Sequence, residues 1–275
     1  MMQGNTLEVQ VKEIEQQLRD YVGNRIFADV LDRSLADDIV QIIIRYISFN
    51  RAFGAGVAGL SSRLAVRRDL FSDKRETTIA KDRSMEVASD VFAAGIDEFG
   101  DTSFHRRHTH RMLAQATMKG LFSYGDYSRK KREELAKMLD NPEIDAAVLR
   151  GYGLKTSGTE KGLFHALGFH IGSEFLADQE FKMADKKLRE KYPALVKYLE
   201  NTKESVSGQK IPAYHWIAIH ARVEEEHFRY AVSAANRALQ YYVGLQNRRD
   251  VKKQILYGVS SFARLQEKFM KTLRQ

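Results

Sequence analysis

The fold of this chain is decided by one stretch, His215-Trp-Ile-Ala-Ile-His220-Ala-Arg-Val-Glu224-Glu-Glu-His227-Phe-Arg-Tyr230. No glycine or proline interrupts it after Pro212, a residue that suits the first turn of a helix. At about 100° per residue, His220, Glu224 and His227 fall within about 60° of one another on that helix. Imidazole and carboxylate groups together are typical ligands of non-haem iron and similar first-row metals. The stretch therefore predicts a helix with three metal ligands on one face; the alternative is a polar face whose histidines are satisfied by hydrogen bonds.

Length and composition place the chain among ordinary globular proteins. Of its 275 residues, 43% are hydrophobic and 29% are charged. This length allows one large domain or two small ones, and we predict a single helical domain over residues 1–275. Because the chain contains no cysteine, a thiolate metal site, a cysteine nucleophile and disulfide bonds are excluded.

Charge and hydropathy limit the partners and the location. No apolar run approaches the roughly 20 residues of a membrane span, and the N-terminus lacks a signal-peptide core, so we predict a cytoplasmic protein without a membrane partner. The net charge is +8, but basic and acidic residues interleave. The densest basic cluster, at residues 129–134, is typical of a solvated helix face. We therefore predict no nucleic-acid partner, while the charge suits anionic small substrates.

Apolar residues recur with the helical period along most of the chain, and no convincing alternating strand appears, so the predicted class is all-α. The core is expected over about residues 36–245. Amphipathic helices at about 6–20 and 248–273 are predicted to be peripheral, where they could form a homodimer contact. The other predicted helices cover about residues 34–47, 76–98, from Phe104 onward, 129–139, 159–187, 189–201 and 212–243.

The histidines are distributed unevenly. All eight lie in three groups, at residues 105, 108 and 110, at 165 and 170, and at 215, 220 and 227. Each group has a carboxylate within helical reach. Glu98 precedes the first group, and Glu174 follows an apolar, glycine-rich run that predicts burial; a buried carboxylate needs a partner or a cation. We expect His165 and His170 to pack or to form hydrogen bonds rather than to bind metal.

Three motifs in this order match a known family: Glu98-Phe-Gly-Asp followed by His105 and His108, a single Glu174 on a glycine-rich helix, and His220-x3-Glu224-x2-His227. Over about residues 36–245, the chain resembles the haem-oxygenase-like diiron oxidases and oxygenases. The resemblance implies a haem-oxygenase-like seven-helix bundle, here with extra terminal helices. It also implies two Fe(II) ions, with O2 as co-substrate.

The resemblance carries over a set of metal ligands to this chain. His105 and His108 compete for one place, because the spacing between the helix-end glutamate and its histidine varies in the family. Many members add a carboxylate from the first core helix, but residues 46–66 contain none. Either Glu76 or Glu86 takes that place, or the site has one carboxylate fewer, as in some members. The implied ligands are Glu98, His105 or His108, Glu174, His220, Glu224 and His227.

The function implied by the resemblance is that of a biosynthetic non-haem diiron oxidoreductase. Its substrate would be a small amino-acid-like or carboxylate-bearing molecule that undergoes N-oxygenation or oxidative C–C or C–N chemistry. A metal-free enzyme or binding protein of the thiaminase-like helical fold is an alternative. A ferritin-like diiron protein is another, although it would need two E-x-x-H pairs and the chain has only Glu224 with His227. A helical interaction module, with the terminal helices as partner surfaces, is the non-enzymatic alternative.

Overall fold

The computed structural model describes residues 7–100, 108–155 and 158–274, apart from the side chains of Ala36, Asp37, Asp97 and Glu224. These residues are predominantly helical, in agreement with the predicted all-α class. Among them, no helix combines the length and the apolar composition that a bilayer span requires. The helices in chain order are α1 (Val11–Leu18), α2 (Gly23–Arg33), α3 (Ala36–Asn50), α4 (Phe53–Ala65), α5 (Ser84–Gly95), α6 (His110–Tyr124), α7 (Arg129–Lys137), α8 (Pro142–Gly151), α9 (Glu160–Lys191), α10 (Pro193–Asn201), α11 (His215–Tyr241) and α12 (Arg248–Thr272).

A small antiparallel hairpin separates α10 from α11. Its strands are β1 (Lys203–Val206) and β2 (Gln209–Pro212). The two turn residues, Ser207 and Gly208, have φ values of 49° and 75°. Positive φ at both central positions suits the twist of a two-residue hairpin turn. The prediction that the chain has no strand is therefore wrong here, because four-residue strands are too short to show a clear alternation.

Helix α5 begins later than the sequence predicts. We expected a helix from about residue 76, but α5 starts at Ser84. The Glu76 side chain instead accepts hydrogen bonds from the backbone N–H groups of Thr77 and Thr78, each at 2.9 Å. These bonds compete with helical hydrogen bonds and hold the segment in a turn. A short 3-10 turn, Ile96–Phe99, continues α5 directly.

Helix α6 also begins later than expected. The helix predicted to start near Phe104 starts at His110, and residues 101–107 lie outside the described part of the chain. The Thr109 hydroxyl accepts a hydrogen bond from the backbone N–H of Met112 at 3.2 Å. A threonine in this position is a typical N-cap, so Thr109 sets the start of the helix. His108 consequently precedes α6, whereas His110 is its first residue.

The long helix α9 lies at the centre of the fold, between α11 and α12. A Cβ atom on Gly168 of α9 would lie 1.7 Å from the Ile255 carbonyl oxygen of α12, so the two helices approach backbone to backbone. Helix α1 packs on α12, and its Ile14 is buried as well. The predicted peripheral position of the C-terminal helix is therefore wrong, because its apolar face covers α9. The buried side chains of that face include Val251, Ile255, Val259, Phe262 and Phe269.

Candidate metal centre

Three potential metal ligands converge from three separate elements. Glu98 lies on the 3-10 turn after α5, His110 begins α6, and His220 lies in the second turn of α11. One ligand atom of each residue lies within 4.8 Å of the others. His110 Nδ1 is 3.4 Å from Glu98 Oε1, and the rings of His110 and His220 are 4.3 Å apart between centroids. Both histidines are buried and Glu98 is half-buried. We name this group the Glu98 cluster.

Local structure places the members of the Glu98 cluster. The Thr109 cap puts His110 in the first turn of α6, directed at the end of α5. On the opposite side, Gly54 of α4 makes room for the carboxylate: a Cβ atom there would lie 3.0 Å from Glu98 Oε2. A larger residue at position 54 would therefore push Glu98 away from the two histidines.

The orientation of His220 is held by a backbone hydrogen bond. Its Nδ1 lies 2.6 Å from the carbonyl oxygen of Trp216, one turn earlier on α11. A carbonyl oxygen can only accept, so Nδ1 carries the proton and Nε2 carries the lone pair in the neutral ring. Burial, followed by the neighbouring His110, holds the pKa of His220 well below its ordinary value. A neutral imidazole with one nitrogen bound to a carbonyl is the usual arrangement of a histidine ligand.

A second group of ionisable side chains surrounds Glu174 on α9. His170 Nδ1 lies 3.1 Å from Glu174 Oε1, and His227 Nδ1 lies 3.8 Å from Glu174 Oε2. The Tyr152 hydroxyl is 3.4 Å from His170 Nδ1 and 2.9 Å from the hydroxyl oxygen of Ser173. The contact between His170 and Glu174 agrees with the expectation that His170 forms hydrogen bonds. We name Glu174, His170 and His227 the Glu174 cluster.

The two clusters face one small cavity of about 40 Å³. Glu98 and His220 line it from one cluster, and Glu174 lines it from the other. A third carboxylate, Glu180 of α9, also lines it, together with the polar side chains of Asn50 and Ser173. Three carboxylates around so small a space would repel one another, and a bound cation would offset that repulsion. The remaining lining is largely aromatic, from Phe49, Phe53, Phe181 and Phe262.

A larger pocket of about 290 Å³ also borders the Glu98 cluster, and Glu98, His110 and His220 all line it. Arg51 lines it, but its Nε donates to Asp145 Oδ2 at 2.9 Å, so this guanidinium is already engaged. Arg111 is exposed on the same lining. The pocket therefore combines an apolar wall with polar groups near the cluster. Its apolar residues include Ile47, Ala55, Phe99, Ala114, Met118 and Trp216, and its polar ones Asn50, Thr109 and Gln115.

The structure brings some of the predicted ligands together, but in two groups. Glu98 and His220 meet in the Glu98 cluster, where the third member is His110 rather than a predicted ligand. Glu174 and His227 meet in the Glu174 cluster. The helix predicted over the His220 motif is present as α11.

Other predicted ligands lie elsewhere or outside the described residues. His108 is buried but is not a member of the Glu98 cluster. His105 and the side chain of Glu224 lie outside the described part of the chain. Glu76 is engaged in its turn, and Glu86 lies in the first turn of α5, at the opposite end from Glu98. Neither of these two alternative carboxylates approaches the cluster in this structure.

Sequence reasoning missed His110 and Glu180. The signal for His110 was Thr109, whose capping role would have moved the start of α6 to the correct residue. The signal for Glu180 was the four-residue spacing of buried positions on α9. Glu180 occupies a place in this stripe, which otherwise holds Leu176, Ala184 and Leu188. A carboxylate inside an apolar stripe predicts a buried, functional or specifically paired acid.

Glu180 is nearly inaccessible, with 2% of its surface exposed. Its Oε2 accepts a hydrogen bond from the Tyr46 hydroxyl at 2.7 Å, and its Oε1 accepts one from Gln266 Nε2 at 2.6 Å. Burial raises the pKa of Glu180 to about 7, against the two hydrogen bonds, which lower it. The carboxyl group is therefore poised between its protonated and ionised forms near neutral pH.

We expect Glu180→Gln to remove a pH-dependent part of the free energy of unfolding. Glu180 holds its proton up to about pH 7 in the folded state but releases it near its ordinary pKa of 4.5 when unfolded. Its contribution to stability is therefore full below pH 4.5 and is lost as the pH rises through about 7. The loss is about 3 kcal/mol over this window. Urea unfolding at several pH values from about 4 to about 8 measures this loss of stability.

The matched control is Glu190→Gln, on the exposed part of the same helix. Its stability should follow the wild-type pH dependence, because an exposed carboxyl group gains little from folding. Parallel wild-type and Glu180→Gln curves would show that Glu180 titrates normally in the folded protein.

Comparisons with known proteins do not indicate a function for this chain. No protein-family model matches the chain, and neither the curated proteins nor the solved structures contain a match. The geometry of the two clusters, the cavity between them and the adjoining pocket is therefore the basis for assigning a function.

Proposed function

We propose that this chain is a non-haem diiron oxidoreductase that uses O2 to oxidise a small molecule. The observation that carries the proposal is the convergence of Glu98, His110 and His220 beside a pocket of about 290 Å³. Two histidines and one carboxylate form the donor set typical of non-haem iron(II) oxygenases. The residues fit such an ion chemically, because His220 presents a neutral nitrogen and Glu98 offers a carboxylate oxygen.

The two clusters suggest which residues would hold each ion. Glu98, His110 and His220 would hold the first ion. Glu174 and His227 would contribute to the second, with His170 orienting the Glu174 carboxylate through the 3.1 Å contact. When bound, iron(II) would supply the electrons for O2 reduction and open positions for O2 and substrate. The shared cavity supports a paired site, because it brings Glu98 and Glu174 to the same small space.

The protein itself would position the substrate and exclude water. The pocket beside the Glu98 cluster is large enough only for a small molecule, and its apolar wall includes Ile47, Met118 and Trp216. Asn50 and Gln115 provide hydrogen-bonding groups on the same lining. With Arg51 engaged by Asp145, the exposed Arg111 is the cation on this lining that supports a carboxylate-bearing substrate.

Anaerobic titration with iron(II) tests the proposal. We expect the wild-type protein to bind two iron ions and Glu174→Gln to bind one, because the Glu98 cluster does not include Glu174. Metal analysis of the gel-filtered protein gives the stoichiometry, and oxygen uptake with small amines and carboxylic acids then measures activity. His165→Gln is the control, since His165 contacts Tyr257 instead of either cluster and should leave two ions bound.

Absence of iron binding by the wild type would contradict the proposal and favour the metal-free alternative. That alternative is supported by the direct contacts between carboxylates and imidazoles, which can satisfy each other without an ion. Two ions bound by Glu174→Gln would instead show that the second ion lies elsewhere.

A further inference from the structure

A line of buried aromatic side chains leads away from the Glu98 cluster. The ring of Trp216, the single tryptophan of the chain, lies 5.5 Å from that of His220 between centroids. The ring of Tyr46 on α3 lies 6.0 Å from Trp216. His220 Nδ1 also donates a hydrogen bond of 2.6 Å to the backbone carbonyl oxygen of Trp216. The order His220, Trp216, Tyr46 therefore connects a proposed ligand to a tyrosine on a different helix.

Tyrosine and tryptophan are the side chains that lose one electron most readily, whereas phenylalanine does not. Phe181 stacks on His220 at 4.3 Å and also contacts Trp216. It therefore fills space beside the line without offering an electron. Trp216 is thus the side chain able to relay charge between His220 and Tyr46.

The Tyr46 hydroxyl has a proton acceptor in place. It donates to Glu180 Oε2 at 2.7 Å, and both residues are at most 3% exposed. A phenol that loses an electron becomes strongly acidic, so its oxidation in a buried site requires a nearby base. Gln266 holds the other oxygen of Glu180 at 2.6 Å and also contacts Asn24, which fixes the carboxylate in this orientation. Tyr46 and Glu180 are therefore arranged so that the phenol can lose an electron and pass its proton to the carboxylate.

We propose that Tyr46 is a one-electron donor to the oxidised metal site, with Trp216 as the relay and Glu180 as the proton acceptor. In this step the Tyr46 O–H bond would break, the proton would pass to Glu180 Oε2, and the electron would pass through Trp216 towards His220, one of the residues that would hold the metal. Tyr46 would become a neutral phenoxyl radical, and a bound, oxidised metal would serve as the one-electron oxidant that takes up its electron. The role rests on the proposed function, because that function supplies the oxidant.

The arrangement would keep oxidising power away from the substrate pocket. Trp216 lines the pocket, but Tyr46 is not among its lining residues. A site oxidised in the absence of substrate would draw its electron from Tyr46, and Trp216 would be restored as soon as Tyr46 gives up that electron. The groups that face Glu180 are the Tyr46 hydroxyl from α3, the Gln266 amide from α12, and Glu98, Glu174 and His220 across the cavity.

The relay can be tested without iron. Because the chain has no cysteine, the Arg111→Cys variant offers a single thiol on the pocket lining, to which one ruthenium polypyridyl photosensitiser can be attached. Flash oxidation of the metal-free protein should first give a tryptophan radical, followed by a tyrosine radical in transient absorption. Tyr46→Phe should abolish the second signal, and Trp216→Phe should abolish both. Glu180→Gln should slow formation of the tyrosine radical by roughly 100-fold, the low end of the effect of a positioned base.

The matched control is Tyr152→Phe, which removes another buried and hydrogen-bonded tyrosine hydroxyl. It should leave both radical signals unchanged. The relay would be overturned if a tyrosine radical still formed in Tyr46→Phe. It would also be overturned if the tryptophan radical of the wild type decayed without producing a tyrosine radical. Circular dichroism of each variant confirms that the loss of signal is not a loss of fold.

A second arm tests the donor role with iron. The iron(II)-loaded protein is mixed with O2 and frozen, and electron paramagnetic resonance is recorded on protein with and without ring-deuterated tyrosine. We expect a tyrosine radical in the wild type and none in Tyr46→Phe. Iron that binds and oxidises without producing this radical overturns the inference but not the proposed function. Absence of iron binding, in contrast, overturns the proposed function and with it the donor role, even where the photochemical relay works.

Discussion

If the proposed diiron centre forms, replacing His110 by glutamine is expected to abolish binding of its first iron ion, whereas replacing His108 by glutamine should leave that binding intact. His110 Nδ1 lies 3.4 Å from Glu98 Oε1 and its ring lies 4.3 Å from that of His220, while His108 lies outside this cluster. Loss of a partner that only orients a ligand costs about 10–100-fold in metal affinity. Loss of a ligand itself should therefore cost more than about 100-fold.

The two variants form a matched pair, because both histidines are buried to the same extent and lie two positions apart. Calorimetric titration with iron(II) under nitrogen gives the affinity, and thermal unfolding of the metal-free proteins checks that each variant is folded. Tight binding by His110→Gln together with weak binding by His108→Gln would place the ligand at His108, as the family resemblance implies. That result would also show that α6 does not begin at His110.

The second large effect is expected from Gly168→Ala, which should greatly reduce the free energy of unfolding. The new Cβ atom would lie 1.7 Å from the Ile255 carbonyl oxygen and 2.6 Å from its carbonyl carbon, both of which are backbone atoms of α12. Helices α9 and α12 would have to separate, since no side-chain rotation can relieve the contact. On α12, a Cβ atom on Gly258 would lie 2.1 Å from the His165 carbonyl oxygen, so the two helices are in close backbone contact at this position as well.

Overpacking in a core usually costs about 1–3 kcal/mol, and a backbone clash belongs at or above the top of that range. Since a domain is stable by only about 5–15 kcal/mol, Gly168→Ala should lower the urea midpoint sharply or prevent folding. Gly158→Ala is the control, because a Cβ atom there meets nothing within 4 Å. A Gly168→Ala protein as stable as this control would show that α12 does not pack against α9 at this distance.

Helix formation along α11 could be predicted because it depends on neighbouring residues. The stretch from His215 to Tyr230 carries no helix breaker, and it lies within a helix that runs to Tyr241. The same local information predicted an amphipathic helix at the C-terminus. It did not reveal that α12 covers α9, because that depends on the close approach of Gly168 to Ile255.

The position of Glu180 depended on packing in the same way. Its place in the buried stripe of α9 is a property of the sequence, but its partners are not. Tyr46 comes from α3 and Gln266 from α12, and only the folded chain brings their hydrogen-bond donors to the two carboxylate oxygens. The sequence could therefore predict burial of this acid, but not its state of ionisation.

The sequence by itself determined the helical class, most helices, and the types of residue from which a metal site could be built. Only the tertiary structure decided that His110 joins Glu98 and His220, and that Glu174 and His227 form a separate group across a small cavity. The physical reason is the range of the interactions. Backbone hydrogen bonds of a helix join residues four positions apart. The clusters instead depend on which faces of distant helices pack together, and that is set by the shape and volume of the whole core.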